Sequence, residues 1–177
     1  EISLDKFMET VAGMMALSAR TAPKAVGADF IEIKILTGSE IELLAGEMFK
    51  YGREHGKRNY DRDGDNVRHS SAVLLLALAD SEPLSQDCGA CGFASCREMK
   101  EHQGEGTEFA GPVCSWRILD LGIALGSAVK TASLFNADNR VMYRIGVVAR
   151  KLGLIKGEHV IGVPISATGK NIYFDRQ

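Results

Sequence analysis

The feature that most constrains the fold is an uninterrupted apolar run, AVLLLALA, at residues 72–79. The run has the length of a β-strand and carries no polar side chain, so neither of its faces suits water. Such a strand is expected in the middle of a sheet that is covered on both sides. Residues 30–36 (FIEIKIL) instead alternate isoleucines with Glu32 and Lys34, which is typical of a strand with one wet face.

Apolar residues at helical spacing elsewhere in the chain predict helices that would cover this sheet. Helices are predicted at residues 3–19, 40–55, 115–135 and 140–152, and a last strand at 159–166. Ser39 and Glu42 have the spacing of a capping box, and Asp138 or Asn139 is expected to start the last helix. The polar stretch at 59–70 is interpreted as turns. The chain is therefore expected to have an α+β fold with helices layered around a small sheet.

The composition excludes two classes of function. A formal net charge of −2 over 177 residues leaves no basic footprint for nucleic acid. The most apolar runs, at 71–79 and 121–129, are shorter than the roughly 20 residues of a membrane span, and residues 1–7 lack the pattern of a secretory signal. We therefore expect a cytoplasmic protein with no nucleic-acid partner and no membrane insertion. The chain does not begin with Met, which suggests that residues precede it.

All four cysteines lie in one polar, Gly-rich stretch that breaks the surrounding pattern. Their spacing is Cys88-x2-Cys91-x4-Cys96, followed by seventeen residues and then Cys114. We interpret this stretch as a module inserted into a core. The predicted division is a first core part at 1–80, the cysteine module at 81–114 and a second core part at 115–177.

Four interpretations of the cysteine spacing compete. A structural disulfide is disfavoured in a reducing cytoplasm, and a catalytic thiol leaves three cysteines unexplained. Four thiolates are the ligands both of structural zinc and of iron–sulfur clusters. The unpaired x2, x4 spacing favours a cluster, because zinc ribbons more often contain two separated C-x2-C pairs. Gly89 and Gly92 each follow a cysteine and permit tight turns whose amides point at cluster sulfurs.

Two residues after Cys114 each carry two interpretations. Trp116 is interpreted as the aromatic side chain that docks the cysteine module onto the core, and the alternative is that it shields a cluster from solvent. Asp120 is interpreted as a favourable charge near a helix N-terminus, and the alternative is a proton relay.

The cysteine motif and the chain around it resemble known families. The stretch DCGACGFASC with its distal cysteine is similar to the small 4Fe–4S motif of the ion-translocating electron-transport beta subunit and the corrinoid iron–sulfur protein large subunit. That resemblance implies that Cys88, Cys91, Cys96 and Cys114 all ligate one 4Fe–4S cluster. Nearly the whole chain resembles a family of uncharacterised archaeal and bacterial proteins containing a ferredoxin domain. The matching stretches are ARTAPKAVGADFIE, DCGACGF, GPVC, DLGIALGSAVKTA, DNRVMYRIG and IGVPISATGKNIYFDR.

More remotely, the chain resembles the nitroreductase fold with an inserted cluster module. ARTAPKA and DLGIALGSAVKTA stand where those flavoenzymes carry a loop after the first helix and the central helix. The resemblance implies a homodimer with FMN at its interface. The Arg-x-Ser-x-Arg phosphate-binding motif of those enzymes is absent from this sequence. Candidate flavin or phosphate contacts are Arg20, Lys24, Gly27, Lys170 and Arg176, and the alternative for the basic ones is solvated surface charge.

Three functions follow from these observations. The first is an iron–sulfur redox or electron-transfer protein that passes electrons to a redox partner protein or to a flavin. The second is an FMN-dependent reductase of nitroreductase type that uses the cluster as electron relay. The third is a zinc-stapled structural or interaction protein. If the chain is an enzyme, it is expected to be an oxidoreductase, and the sequence identifies neither a catalytic residue nor a substrate.

Overall fold

The fold is built on a four-stranded antiparallel sheet. The computed structural model describes residues 2–174. Its strands are β1 (Ile31–Leu36), β2 (Ala72–Leu78), β3 (Gly104–Glu105), β4 (Ala110–Gly111), β5 (Asp138–Asn139) and β6 (His159–Ser166). The main sheet has the order β1-β2-β6-β5, and β3 pairs with β4 in a separate two-stranded ribbon.

Helices cover both faces of this sheet. They are α1 (Leu4–Thr21), α2 (Ser39–Glu54), α3 (Tyr60–Arg68), α4 (Cys96–Glu101), α5 (Ser115–Leu134) and α6 (Tyr143–Lys151). A short 3-10 turn at Ala25–Gly27 follows α1. Helices α1 and α5 pack on one face, and α2, α3 and α6 pack on the other. The predicted α+β architecture is confirmed. Within residues 2–174, no helix is long and apolar enough to cross a bilayer.

Strand β2 occupies the centre of the molecule. All seven of its residues are buried. Leu74 and Leu76 enter the core beneath α1 and α5, whereas Val73 and Leu75 enter the core beneath α2, α3 and α6. Successive side chains of a strand point to opposite faces, so an all-apolar strand is stable only between two helical layers. The prediction of a strand covered on both sides is confirmed.

The interpretation of residues 59–70 as turns was wrong. This stretch contains helix α3, although it is strongly polar. Its buried residues recur at helical spacing on one face, and Tyr60 and Val67 are fully buried. A helix of only nine residues shows one short apolar stripe, so tertiary packing rather than sequence pattern reveals it.

Two predicted helix starts also differ from the structure. Helix α2 begins after Gly38, and no side chain caps it, so the capping box predicted at Ser39 does not form. Helix α6 begins at Tyr143 instead of residue 140. Residues 138–139, expected to start that helix, pair with β6 as strand β5, because the sheet edge supplies backbone partners there.

The small residues of α5 fall into two groups. Three alanines are fully buried on the side of α5 that packs with α1: Ala124, Ala128 and Ala132. Gly122 and Gly126 lie on the opposite, exposed side, where an added Cβ would meet no atom within 4 Å. The alanines therefore set the close approach of α1 and α5, and the two glycines play no part in it.

Candidate metal centre

All four cysteines line one cavity beside the N-terminus of α5. The free volume inside this cavity is about 10 Å³, and Pro83, Phe93, Met99 and Trp116 complete much of its wall. Each cysteine is a free thiol, and their exposure falls from Cys88, which is exposed, to Cys114, which is buried. The fold therefore brings the thiol of Cys114 to the same cavity as the three thiols of residues 88–96.

The four thiols share the cavity without converging on one point. Within residues 2–174, no three His, Cys, Asp or Glu side chains are grouped closely enough to hold a metal ion. The donor chemistry of the wall nevertheless fits a thiophilic metal group, because all four cysteines line one cavity. Asp87 also lines the cavity, and its carboxylate accepts a hydrogen bond from the Cys96 amide at 2.7 Å.

Two glycines give the loop between the first cysteines its tight path. Gly89 and Gly92 have φ values of +74° and +89°, a left-handed region that a Cβ disfavours. The Gly92 amide donates to the Gly89 carbonyl at 2.9 Å and closes the turn between them. The tight turns predicted after Cys88 and Cys91 are confirmed.

A reciprocal cap fixes the start of α4 at Cys96. The Ser95 hydroxyl accepts a hydrogen bond from the Glu98 amide at 3.1 Å, and the Glu98 carboxylate accepts one from the Ala94 amide, also at 3.1 Å. The S-x-x-E spacing that signals such a cap is readable in the sequence, but sequence reasoning missed it. The cap holds Cys96 at the cavity wall as the first residue of the helix.

Two hydrogen-bond donors reach the exposed sulfur of Cys88. The backbone amide of Ala90 and the indole Nε1 of Trp116, 3.4 Å from the Cys88 Sγ, lower the pKa of this thiol from its ordinary value. The Ser115 hydroxyl donates to the Ala90 carbonyl at 2.9 Å, so the loop is tied to the first turn of α5. Trp116 is 42% exposed and lies at the cavity rim, where its hydrogen bond to Cys88 joins the cysteine loop to α5.

Cys114 occupies the N-cap position of the 20-residue helix α5 and is 6% exposed. Its carbonyl accepts hydrogen bonds from the amides of Arg117 and Ile118. The N-terminus of a helix carries partial positive charge, so Cys114 stands at the positive end of α5.

A buried ion pair anchors the start of the cysteine segment to the core. Arg117 and Asp120 are 2% and 4% exposed, and their side chains meet at 3.0 Å. Arg117 also donates to the carbonyls of Glu82 at 2.8 Å and Ala25 at 3.1 Å, and its guanidinium lies over the ring of Phe30. The Asp120 carboxylate accepts the Ala25 amide at 2.8 Å. Asp120 is therefore a buried partner of Arg117 and lies beyond the first turn of α5, so its interpretation as a favourable charge near the helix N-terminus is replaced by this ion pair.

A second anchor holds the distal part of the segment. The Glu108 carboxylate accepts hydrogen bonds from the hydroxyls of Tyr51 at 3.2 Å and Tyr60 at 3.3 Å, and it pairs with Lys57 at 3.1 Å. Burial raises the pKa of Glu108, but the hydrogen bond and charge of Lys57 and the two hydroxyls outweigh burial and lower it overall. Sequence reasoning missed this cluster, because Glu108 lies 57 residues from Tyr51 and 48 residues from Tyr60.

Two candidate flavin contacts come together around an aspartate. Arg20 pairs with Asp29 at 2.8 Å, and Lys24 lies 3.5 Å from the same carboxylate oxygen. The Lys24 ammonium also donates to the carbonyls of Ala19 and Arg20, the last turn of α1. Burial raises the pKa of Asp29, but the hydrogen bond from Arg20 and the charges of both cations lower it overall. A phosphate at this position would compete with Asp29 for both cations.

Of the remaining flavin candidates, Gly27 adjoins this pair, because its amide donates to the Lys24 carbonyl at 3.0 Å. Gly27 ends the 3-10 turn with φ +69°, next to Val26, which has φ +53° and is 80% exposed. Lys170 is exposed, and its carbonyl accepts a hydrogen bond from the Thr168 hydroxyl at 2.8 Å. Arg176 lies outside the described residues. The assignment of all five residues to a flavin or phosphate stays a prediction.

Comparison with known proteins assigns the family. An uncharacterised protein of Archaeoglobus fulgidus is 48% identical over 163 residues, which is 92% of this chain and 88% of the relative. The family described as uncharacterised protein containing a ferredoxin domain matches residues 110–176. The chain belongs to this ferredoxin-domain family. The matched region of this ferredoxin-domain protein includes Cys114 and begins after the other three cysteines.

Solved structures show that the ferredoxin-domain protein has a nitroreductase-like fold. Nitroreductase A of Vibrio parahaemolyticus is 14% identical, with a TM-score of 0.56 over 92% of this chain and 60% of that enzyme. The FMN-dependent nitroreductase NfnB of Mycobacterium smegmatis, solved with NADPH, is 10% identical, with a TM-score of 0.61 over 93% and 81%. A Desulfitobacterium hafniense nitroreductase with bound FMN is 12% identical, with a TM-score of 0.58 over 96% and 81%. The nitroreductase-like prediction is confirmed for the fold.

Proposed function

We propose that this ferredoxin-domain protein is an iron–sulfur electron-transfer protein that binds one 4Fe–4S cluster through Cys88, Cys91, Cys96 and Cys114. The observation that carries the proposal is the single cavity lined by all four thiols of the chain. Membership of a family described as containing a ferredoxin domain supports it. The division into an inserted module and a two-part core belongs to the same proposal.

The chain's own residues would supply the ligands and their electrostatic environment. A bound 4Fe–4S cluster supplies reversible one-electron chemistry. The positive end of α5 at Cys114 and the two donors to the Cys88 sulfur offset the negative charge of the thiolates. Cys88 and Trp116 form the exposed edge of the cavity, which is the side open to a redox partner.

Metal and sulfide analysis tests this function. Protein purified without oxygen is expected to contain about four irons and four acid-labile sulfides per chain, because a 4Fe–4S cluster is held by four thiolates. The same sample should show a broad visible absorption band. One zinc per chain without sulfide would contradict the proposal and support the zinc-stapled alternative.

A second candidate function is an FMN-dependent reductase of nitroreductase type in which the cluster relays electrons. The fold shared with FMN-containing nitroreductases favours it. Arg117 also joins the cysteine segment at Glu82 to the 3-10 turn at Ala25, beside the candidate flavin contact Gly27. FMN released by heat, with yellow colour that survives loss of the cluster, would support this function. A colourless cluster-free protein would contradict it.

We further propose that the protein is a homodimer. Exposed apolar side chains are numerous on α1 and α5, the helices of one face of the sheet: Leu4, Phe7, Met14, Leu17, Trp116, Ile118, Leu119, Ile123 and Leu134. Gly122 and Gly126 lie on the exposed side of α5 and would allow a second backbone to approach closely. Exposed apolar side chains grouped on two neighbouring helices favour an interface there.

Substituting leucine for Gly126 is expected to convert the dimer to a monomer without lowering stability. A Cβ added at Gly126 meets no atom within 4 Å in the monomer, and replacing an exposed helical glycine removes a penalty of about 1 kcal/mol. Sedimentation velocity measures the mass, and thermal unfolding checks the fold. Gly46→Leu is the matched control, because Gly46 is an exposed glycine of α2 with equally open space. A dimer that persists in Gly126→Leu would exclude this face as the interface.

A further inference from the structure

We propose that the indole N–H of Trp116 raises the reduction potential of the bound cluster by donating a hydrogen bond to the sulfur of Cys88. The inference rests on the proposed function, because it requires that Cys88 ligate the cluster. It assigns a tuning role to a residue at the solvent-facing edge of the cavity.

The position of the indole is set by its neighbours. Trp116 is the second residue of α5, directly after the N-cap residue Cys114 and Ser115. The Ser115 hydroxyl donates a hydrogen bond to the Ala90 carbonyl at 2.9 Å, and the Trp116 Nε1 lies 3.4 Å from the Cys88 sulfur. Two consecutive residues of α5 therefore hydrogen-bond to the segment from Cys88 to Ala90. The fold thus fixes the position of the indole N–H donor.

The direction of the effect follows from charge. Reduction adds an electron to the cluster and makes its ligand sulfurs more negative, so a donor at a sulfur stabilises the reduced state more than the oxidised state. The potential is thereby raised. Because the sulfur is exposed, solvent screens part of this effect, and we expect at most about a tenfold change in the reduced-to-oxidised ratio. Tenfold corresponds to about 59 mV for a one-electron couple.

A structural role alone does not explain the residue. Trp116 is 42% exposed and belongs to neither hydrophobic core. An effect of the ring on solvent access must still be separated from an effect of the N–H. The chain has a single Trp, so biosynthetic replacement of tryptophan changes this position alone.

The test replaces Trp116 with a near-isosteric tryptophan analogue in which a sulfur atom takes the place of the indole N–H group. The ring then still covers the cavity rim but donates no hydrogen bond. The potential is measured by a redox titration followed by visible absorption and electron paramagnetic resonance. We expect a more negative potential, with the reduced fraction at the wild-type midpoint lowered threefold to tenfold. A change below about twofold would overturn the inference, and so would loss of the cluster, because the N–H would then be required for assembly.

Genetic variants provide the controls. Trp116→Phe is expected to shift the potential in the same direction, and Trp116→His, which keeps a ring N–H, by less. Phe135→Leu is the matched control, because Phe135 is an exposed aromatic residue at the C-terminal end of α5, outside the cavity lining, and the potential of this variant is expected to stay unchanged. A wild-type protein without iron and sulfide would contradict the proposed function itself. A cluster with unaltered potential in the analogue protein would contradict this inference alone.

Discussion

Substituting serine for Cys91 is expected to lower the iron and sulfide content to below about a tenth of the wild-type value. Serine is nearly isosteric with cysteine, but its hydroxyl does not ionise to a soft thiolate ligand. The cavity wall then offers three thiols instead of four. Iron and sulfide assays on protein prepared without oxygen measure the loss, together with the visible absorption band.

The fold is expected to survive this substitution. Cys91 lies between β2 and α5, and it belongs to neither hydrophobic core. Far-ultraviolet circular dichroism should therefore match the wild type. Ala94→Ser is the matched control, because it introduces the same hydroxyl at an exposed position of the same loop without removing a thiol. Iron and sulfide that persist in Cys91→Ser would contradict the four-cysteine ligand set.

Asp120→Ala is expected to destabilise the protein by about 3–5 kcal/mol. The substitution leaves the buried guanidinium of Arg117 without its countercharge, and it removes the acceptor of the Ala25 amide. Carbonyl oxygens of Glu82 and Ala25 still accept from Arg117, but they carry only partial charge. Urea unfolding measures the change in the free energy of unfolding.

An exposed ion pair nearby provides the control. Glu82 pairs with Lys100 at 2.6 Å, a shorter distance than that between Arg117 and Asp120, but the side chains are 62% and 42% exposed. Glu82→Ala is therefore expected to cost less than about 1 kcal/mol. The double variant Arg117→Met/Asp120→Leu should recover much of the loss in Asp120→Ala, because it leaves no buried charge. A loss below about 1 kcal/mol in Asp120→Ala would contradict the proposed anchor.

Several secondary-structure elements can be predicted from the local sequence pattern. The apolar run of β2 predicts a central strand, since only cover on both faces suits it, and that cover is present. Long amphipathic stretches likewise predict α1, α2 and α5 to within two residues at each end. The local pattern predicts neither helix α3 nor the start of α6. Burial of Tyr60 in the core determines α3, and pairing of residues 138–139 with the sheet edge determines where α6 begins.

The candidate metal centre likewise has some features that the local sequence predicts and others that depend on tertiary packing. Covalent chemistry and short spacing are local properties, so the sequence by itself determined a thiol-rich loop with tight turns at Gly89 and Gly92. The hydrogen bond from Trp116 to Cys88 joins residues 28 positions apart, and the hydrogen bond from the Ala25 amide to the Asp120 carboxylate joins residues 95 positions apart. Contacts at such separations depend on how α5 docks against the sheet and the cysteine loop. Only the tertiary structure decided them, because packing of distant segments, and no local preference, places those side chains together.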